Sequence, residues 1–411
     1  MKTNDLWSAK AECCGCELCS QSCPKAIINM KQDEEGFLYP HITNEDECIG
    51  CKRCVKVCPM KAPGRDTVRI IESFSFSLGD AKDLRYSASG GFVTAVSRSF
   101  INKGGVVYGV AYSEDGQSIG YHRATTIGEL EKFRGSKYAQ AEKGSVYSLV
   151  REDIKECRKI LYVGLPCEVS AIYHAVTRRD NLYTISLICH GPTSQKVHRD
   201  YLASLPIAYS KIDNISVRYK KNGWKPYYIH IVDNKGDVYE EQWGKSDYGI
   251  AFQYLKRPSC HTCRYKTGDN LFGLQSDITV GDFHALKKGS LQYNRWGVSQ
   301  VSIQSEKGRY LVGLVDCILD DSEIPHELIM RSNRAFHMPI PQRWNRKNFV
   351  KDYQCHSLHY ATHSWKIMIT DGAIKICRQL KRVRNIKKLF RMLLRNRYTE
   401  KSQVIYPFSS K

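Results

Sequence analysis

From residue 87 onward the chain passes from one hydrophobic pattern to another. "SASGGFVTAVSRSFINKGG" sets Phe92, Val93, Val96 and Phe100 at helical spacing, between a Ser/Gly start and a stop at Gly104-Gly105, which predicts a helix. "GVVYGVAYSEDGQSIGYHRA" alternates on both sides of Asp115-Gly116, as a β-hairpin does. "KILYVGLPC" and "NLYTISLICHG" are short apolar runs, each followed by a plausible helix; that order predicts parallel βαβ units. "ISVRYKKNGWKPYYIHIVDNKGDVYEEQW" reads as antiparallel strands turning at Asn222-Gly223 and Lys235-Gly236. "SDITVGDF" and "VSQVSIQ" are further strands, and "MKAPGRDTVRIIESFSFSLGD" reads as a connector with a turn at Pro63-Gly64.

Ahead of that connector the pattern is set by cysteine. Cys13, Cys16, Cys19 and Cys23-Pro24 stand at spacings of two, two and three, and Cys48, Cys51, Cys54 and Cys58-Pro59 repeat them. Short two-residue loops let three thiolates converge on three corners of one cubane. Zinc also uses C-x2-C pairs, but it has no need of the further cysteines or of the repeated Cys-Pro. The duplicated C-x2-C-x2-C-x3-C-P pattern resembles bacterial ferredoxins carrying two 4Fe-4S clusters. That resemblance implies one cluster on Cys13, Cys16, Cys19 and Cys58, and another on Cys48, Cys51, Cys54 and Cys23. Cys14 falls outside the register and is expected beside the ligands or merely buried.

Composition changes the picture in two respects. Seventeen cysteines in 411 residues, with no apolar leader in "MKTNDLWSAKAECC", read as metal ligands in a reducing interior rather than as a disulfide framework. The expected location is cytoplasmic, since no stretch reaches the roughly 18 apolar residues of a spanning helix. Net charge is +20, and residues 372–399 hold no acid. Within 374–397, Ile376, Leu380, Val383, Ile386, Phe390 and Leu393 form one stripe among Lys and Arg, an amphipathic basic helix. It suits peripheral contact with an anionic inner membrane face, or docking on a partner or the protein's own body. Nucleic acid is disfavoured, because aromatics are not interleaved with the charge.

Within 87–345, two further thiols, Cys167 and Cys189, end predicted strands, where ligands of α/β folds gather. Cys260 and Cys263 form an isolated C-x2-C. Together they make four donors, enough for a third 4Fe-4S cluster; the alternative is that Cys167 and Cys189 are ordinary buried thiols. "SASGGF" offers glycines and hydroxyls at a helix start, suited to a pyrophosphate or simply to an N-cap by Ser89.

"SASGGF", "GSKYAQ", "GLPCE", "CHGPTS" and "RPSCHTCRY", followed by "SDITVGDF" and "GVSQVSI", come in this order behind the two cysteine runs. Over roughly residues 10–320 the combination resembles the coenzyme F-420 hydrogenase/dehydrogenase β-subunit family. That family includes flavin-bearing subunits of F-420-reducing hydrogenase and formate dehydrogenase, and plant 7-hydroxymethyl chlorophyll a reductase. The resemblance implies FAD held by Ser89, Gly90 and Gly91, with Lys137 and Tyr138 of "GSKY" as phosphate or ring partners. Lys137 could equally be a solvated surface lysine. Asp282 is expected as a turn residue or at the cofactor edge.

The expected fold class is α+β/α/β. A ferredoxin-type domain over 1–62 and a linker over 63–86 lead to a mixed α/β flavin and iron–sulfur domain over 87–345, then a basic, partly helical extension over 346–411. The expected function is an iron–sulfur flavoprotein oxidoreductase moving electrons between clusters and FAD. Its partners would be ferredoxin or another redox protein, and a hydride-type coenzyme or an organic substrate. An electron-transfer subunit without catalysis is the alternative, and a basic cluster protein on nucleic acid a more distant one.

Overall fold

Alternation of side chains along each strand decides which face of the main sheet every residue meets. In the computed structural model, which describes residues 6–206, 212–267, 271–315, 324, 326–364 and 367, the chain forms two compact units, Met1–Arg346 and Lys347–Lys411. In the first unit, two short helical turns, Lys10–Glu12 and Leu18–Gln21, precede a hairpin of β1 (Ile28–Gln32) against β2 (Leu38–Ile42). The main sheet has seven strands. They are β3 (Glu72–Phe76), β4 (Val106–Tyr112), β5 (Ile119–Ala124), β6 (Ile160–Gly164), β7 (Leu182–Leu187), and two later ones, Ile278–Asp282 and Ser299–Ile303. Between β7 and those two, β8 (Ile212–Tyr219), β9 (Tyr228–Asp233) and β10 (Val238–Gln242) form a separate antiparallel sheet, as the sequence predicts. The later two are therefore β11 (Ile278–Asp282) and β12 (Ser299–Ile303).

The order across the main sheet is β3-β12-β11-β7-β6-β4-β5. Pairs β4/β6, β6/β7 and β7/β11 are parallel, while β12, β3 and β5 add antiparallel edges. The βαβ expectation holds: α1 (Phe92–Asn102) leads into β4, α2 (Pro166–Ala175) follows β6, and α3 (Gln195–Ala203) follows β7.

One face of the sheet packs Val107, Leu161, Val163 and Ile185 against Phe92, Val96 and Phe100 of α1. The other presents Val106, Tyr108, Ile160 and Tyr162 to α2 and to Cys14, Cys16 and Leu18 of the first cysteine run. The cysteine-rich head is thus built into the body's core.

The stretch 63–86, expected as a linker, carries β3 and the helix Ala81–Tyr86. Its serines read as connector residues, yet they are buried. Ser73 Oγ meets Ser302 Oγ at 2.8 Å, and Ser77 Oγ donates to Gly297 O at 3.1 Å. Ser73, Ser75 and Ser77 alternate with Phe74 and Phe76, and both faces of the strand are buried, so hydroxyl bonds satisfy the side that sequence alone reads as solvent-facing.

In the second unit, Leu358–His363 is a short helix whose N-cap Ser357 accepts from the Tyr360 N–H at 3.1 Å. The basic segment 374–397 lies outside the described residues. Among the described residues, no helix is long and apolar enough to cross a membrane.

Candidate metal centres

The two cysteine runs are conformational twins. Gly15 and Gly50 both take left-handed φ angles (68° and 67°), as do Glu17 (63°) and Lys52 (56°), so each run bends identically around its second cysteine. Glycine supplies that φ without strain. At Gly15 a side chain would also strike Arg257 Nη1, 2.6 Å from an added Cβ, whereas Gly50 faces open space.

The bends gather the head thiols into two groups. Cys23, Cys48, Cys51 and Cys54 line one cleft with Pro24, Ile27, Ile28, Ile42 and Ile49. Cys13, Cys16, Cys19 and Cys58 face one another elsewhere. Burial, then the neighbouring Cys13 and Cys58 sulfurs, push the Cys19 thiol well above its usual range. The Cys58 thiol is pushed up to about 11 by burial, then by Cys14 and Cys13. Sulfurs crowded this way repel one another as bare thiolates, and an iron charge exchanged for their protons relieves that repulsion. Each run's fourth cysteine therefore stands with the other run's first three.

A second cleft opens where parallel strands end. Cys167 sits in the first turn of α2 just past β6, and Cys189 lies two residues past β7. Cys260 and Cys263 flank the end of the turn Pro258–Thr262, and all four line this cleft. Gly191 (φ 81°) lies so close that an added Cβ would come within 3.0 Å of Cys260 Sγ, and its N–H donates to Cys189 Sγ at 3.2 Å.

Buried cations flank the same thiols. Lys256 Nζ donates to Gly191 O at 3.2 Å, and Lys266 Nζ to Cys189 O at 3.0 Å. Burial lowers Lys256 to about 8 despite the Cys260 and Cys189 sulfurs. Four thiols, an amide donor and two ammonium groups fit an anionic thiolate-bound cluster.

Side chains of the body fasten the head. Gln140 Nε2 donates to Cys14 O at 2.8 Å and Tyr147 Oη to Cys16 O at 2.7 Å. Arg257, fully buried, donates from Nε to Cys13 O (2.7 Å) and from Nη2 to Leu38 O (2.7 Å) and Cys13 Sγ (3.4 Å). Beside Cys167, the buried Glu168 pairs with buried Lys143 at 2.8 Å and accepts from Tyr121 Oη at 2.7 Å. Burial pulls Lys143 down, but the Glu168 and Glu17 carboxylates together offset this and hold it above its usual range.

Cys14 is more than a buried surplus thiol. It lines the second cleft together with Cys167, Cys189, Cys260 and Cys263. Its sulfur takes hydrogen bonds from Cys16 and Cys167, which lower it well below the usual thiol range. Spacing along the chain places Cys14 outside the ligand register, and the fold places it in the second cleft. Lys256, Arg257 and Lys266 were equally hidden, although "KRPSCHTCRYK" carries a visible signal: bases crowd both sides of a C-x2-C.

The residues expected to hold flavin serve the fold as well. Gly90 packs so tightly that an added Cβ would lie 2.0 Å from Phe76 O and 2.4 Å from Ser299 N. Ser89, at φ 51°, is not an N-cap: its Oγ donates to Val298 O at 2.8 Å. Gly91 caps α1 without a side-chain bond, and Leu78 packs against it, 2.4 Å from where a Cβ would stand. Lys137 is not a solvated lysine. Its ammonium donates to Lys132 O (3.0 Å) and Arg134 O (2.8 Å). The Tyr138 ring packs against Trp243 and Phe252, 4.8 and 4.7 Å between centroids.

Asp282 ends β11, half-buried, where Arg218 Nη2 donates to it at 2.8 Å. Burial would raise its carboxyl, but Arg218 and then His284 pull it down to about 2.

Residues 12–62 match the family model of the 4Fe-4S dicluster domain, and residues 157–316 match that of the C terminus of the coenzyme F-420 hydrogenase/dehydrogenase beta subunit. Among solved structures, a chain of the xenon-derivatised F-420-reducing [NiFe] hydrogenase complex from Methanosarcina barkeri is similar. It shows 16% identity and a TM-score of 0.46, covering 71% of this chain and 94% of that one. No curated protein matches. Both cysteine runs fall inside the first match, and Cys167, Cys189, Cys260 and Cys263 inside the second, so the chain carries a stretch similar to a 4Fe-4S dicluster domain followed by one similar to the C terminus of the coenzyme F-420 hydrogenase/dehydrogenase beta subunit.

Proposed function

We propose that this protein is an iron–sulfur flavoprotein oxidoreductase that moves electrons between 4Fe-4S clusters and FAD, and from there to or from a hydride-type coenzyme such as F-420 or an organic substrate. The observation that carries the reading is the second thiol cleft, set at the ends of β6 and β7 and bordered by the head. Cys13, Cys16, Cys19 and Cys58 would hold one cluster, Cys23, Cys48, Cys51 and Cys54 another, and Cys167, Cys189, Cys260 and Cys263 a third. Electrons would enter from ferredoxin or another redox protein at the head.

Bound flavin takes two electrons with a hydride and releases them singly, which is what a chain of one-electron clusters requires. Ser89, Gly90 and Gly91 would set the phosphates against the start of α1. Tyr138 would border the ring on this reading. Lys137 contributes less than its motif suggests, since its ammonium is already held by Lys132 O and Arg134 O. That commitment favours the second reading, an electron-transfer subunit with clusters but no flavin.

Anaerobic purification followed by iron and flavin analysis separates the two. About twelve irons and one flavin per chain support the first, at four irons per cluster. Iron at that level without flavin supports the second, and about eight irons would remove the third cluster.

A further inference from the structure

The two cysteine runs share a backbone bend but not a covering. Over residues 13–16 the body closes with Gln140, Tyr147 and Arg257, and Cys14 and Cys16 are 9% and 8% exposed. In the second run Ile49 follows Cys48 as Cys14 follows Cys13, yet it is 62% exposed, with Cys51 exposed beside it. A Cβ added to Gly50, the twin of Gly15, would meet nothing within 4 Å among the described residues. An exposed Ile is ordinary by itself, but here the twin run shows what cover the same loop takes. Ile49 borders the cleft of Cys23, Cys48, Cys51 and Cys54, and the charged residues lining that cleft are Lys25 and Lys52. Both lysines are exposed, as are Arg53 and Lys56 in the turn that follows. Glu45, Asp46 and Glu47, just ahead in sequence, do not line it.

We propose that this bare loop, residues 48–53, is the docking site of an acidic iron–sulfur protein, and that the thiol group behind it is where electrons enter the chain. The inference rests on the iron–sulfur reading above. Charge selects the partner. A chain of net charge +20 draws an acidic surface from a distance, and Lys25 and Lys52 fix it at this loop. Ile49 then buries its side chain at the centre of the contact, with the basic residues as its polar rim. The first run is closed to such a partner by the body's own side chains. In each transfer the partner is oxidised by one electron and the Cys48 group is reduced by one. No bond forms or breaks, and no proton moves.

The full chain, purified without oxygen, is titrated calorimetrically with an acidic two-cluster 4Fe-4S ferredoxin of bacterial type, and iron is counted in every sample. The unaltered chain should bind, with an affinity that falls as salt is added. Lys25→Glu combined with Lys52→Glu, and separately Ile49→Ser, should keep their iron and weaken binding about tenfold. Lys82→Glu, the same change of charge at the exposed start of the helix Ala81–Tyr86, should bind as the unaltered chain does. Carbodiimide coupling should join carboxylates of the ferredoxin to Lys25 or Lys52. Absence of binding, equal affinity in all variants, or coupling confined to other lysines would overturn the proposal. So would a dimer of the unaltered chain that Ile49→Ser dissolves, since a second copy would then be the occupant. An unaltered chain holding fewer than the roughly eight irons of two clusters would instead overturn the iron–sulfur reading, whatever its affinity for the ferredoxin.

Discussion

Arg257 Nη2 lies 3.4 Å from Cys13 Sγ. The guanidinium comes from the turn that carries Cys260, three residues on, so one buried cation touches the head and borders the second cleft. Its other donors are spent on Cys13 O, Leu38 O and Gln140 Oε1. Arg257→Met removes the positive charge and strands those acceptors. The expected result is a lower midpoint for the cluster that binds Cys13, with stability reduced by about 3 kcal/mol, the scale of breaking a buried charge pair. Arg257→Lys should not rescue the loss, because an ammonium cannot span the same acceptors. EPR-monitored titration alongside thermal unfolding checks this. A midpoint that stays put while stability falls would reduce Arg257 to a fastener.

Replacing Cys260 and Cys263 by Ser addresses the second cleft on its own. Burial holds both thiols high; the Cys189 sulfur adds to this at Cys260, and the Lys266 charge opposes it at Cys263. The head's thiols are elsewhere apart from Cys14. The double variant should lose about four irons per chain and keep the rest. Iron analysis with EPR spin counting decides it; losing all the iron, or none, would refute the ligand set.

Much of this architecture was legible because its residues repeat or alternate. The doubled cysteine spacing announced the head, and the apolar runs at 159–167 and 181–191 announced β6 and β7 with their strand-end thiols. β3 was less legible, since the residues alternating with Phe74 and Phe76 are serines, which read as connector residues in sequence yet lie buried in the fold. Cys14 and Arg257 were not legible, since they act through partners more than 100 positions away, at Cys167 and Cys13. Spacing along a chain shows which thiols share a loop, and only the folded sheet shows which loops share a cleft.

Gly90 separates packing from cofactor binding. Its added Cβ would lie 2.0 Å from Phe76 O, a backbone atom of β3 that cannot swing aside. Gly90→Ala should therefore destabilise the protein by about 1–3 kcal/mol, the range of overpacking, whether or not flavin is bound. Thermal unfolding of flavin-free and flavin-loaded samples tests it. Destabilisation confined to the loaded sample would mean that the glycine serves the ligand rather than the sheet.

His198 gives the fold an acid limit. It is wholly buried in α3, its Nε2 2.7 Å from Gly116 O and its ring stacked on Tyr112 at 5.5 Å. Burial holds its imidazole down to about 4, with the Arg199 charge adding slightly and the Gly116 carbonyl opposing. An unfolded chain titrates near the ordinary value of about 6.5. Between the two values the unfolded chain takes up a proton that the folded chain refuses. Stability contributed by neutral His198 is therefore complete above about pH 6.5 and declines toward pH 4, by up to about 3 kcal/mol. His198→Gln preserves a donor for Gly116 O but cannot titrate. Denaturant unfolding of both proteins across this range should show a slope shallower by up to one proton in the variant. Comparing the two cancels acid loss of iron, which both share, so parallel slopes would show that His198 is already protonated in the folded protein.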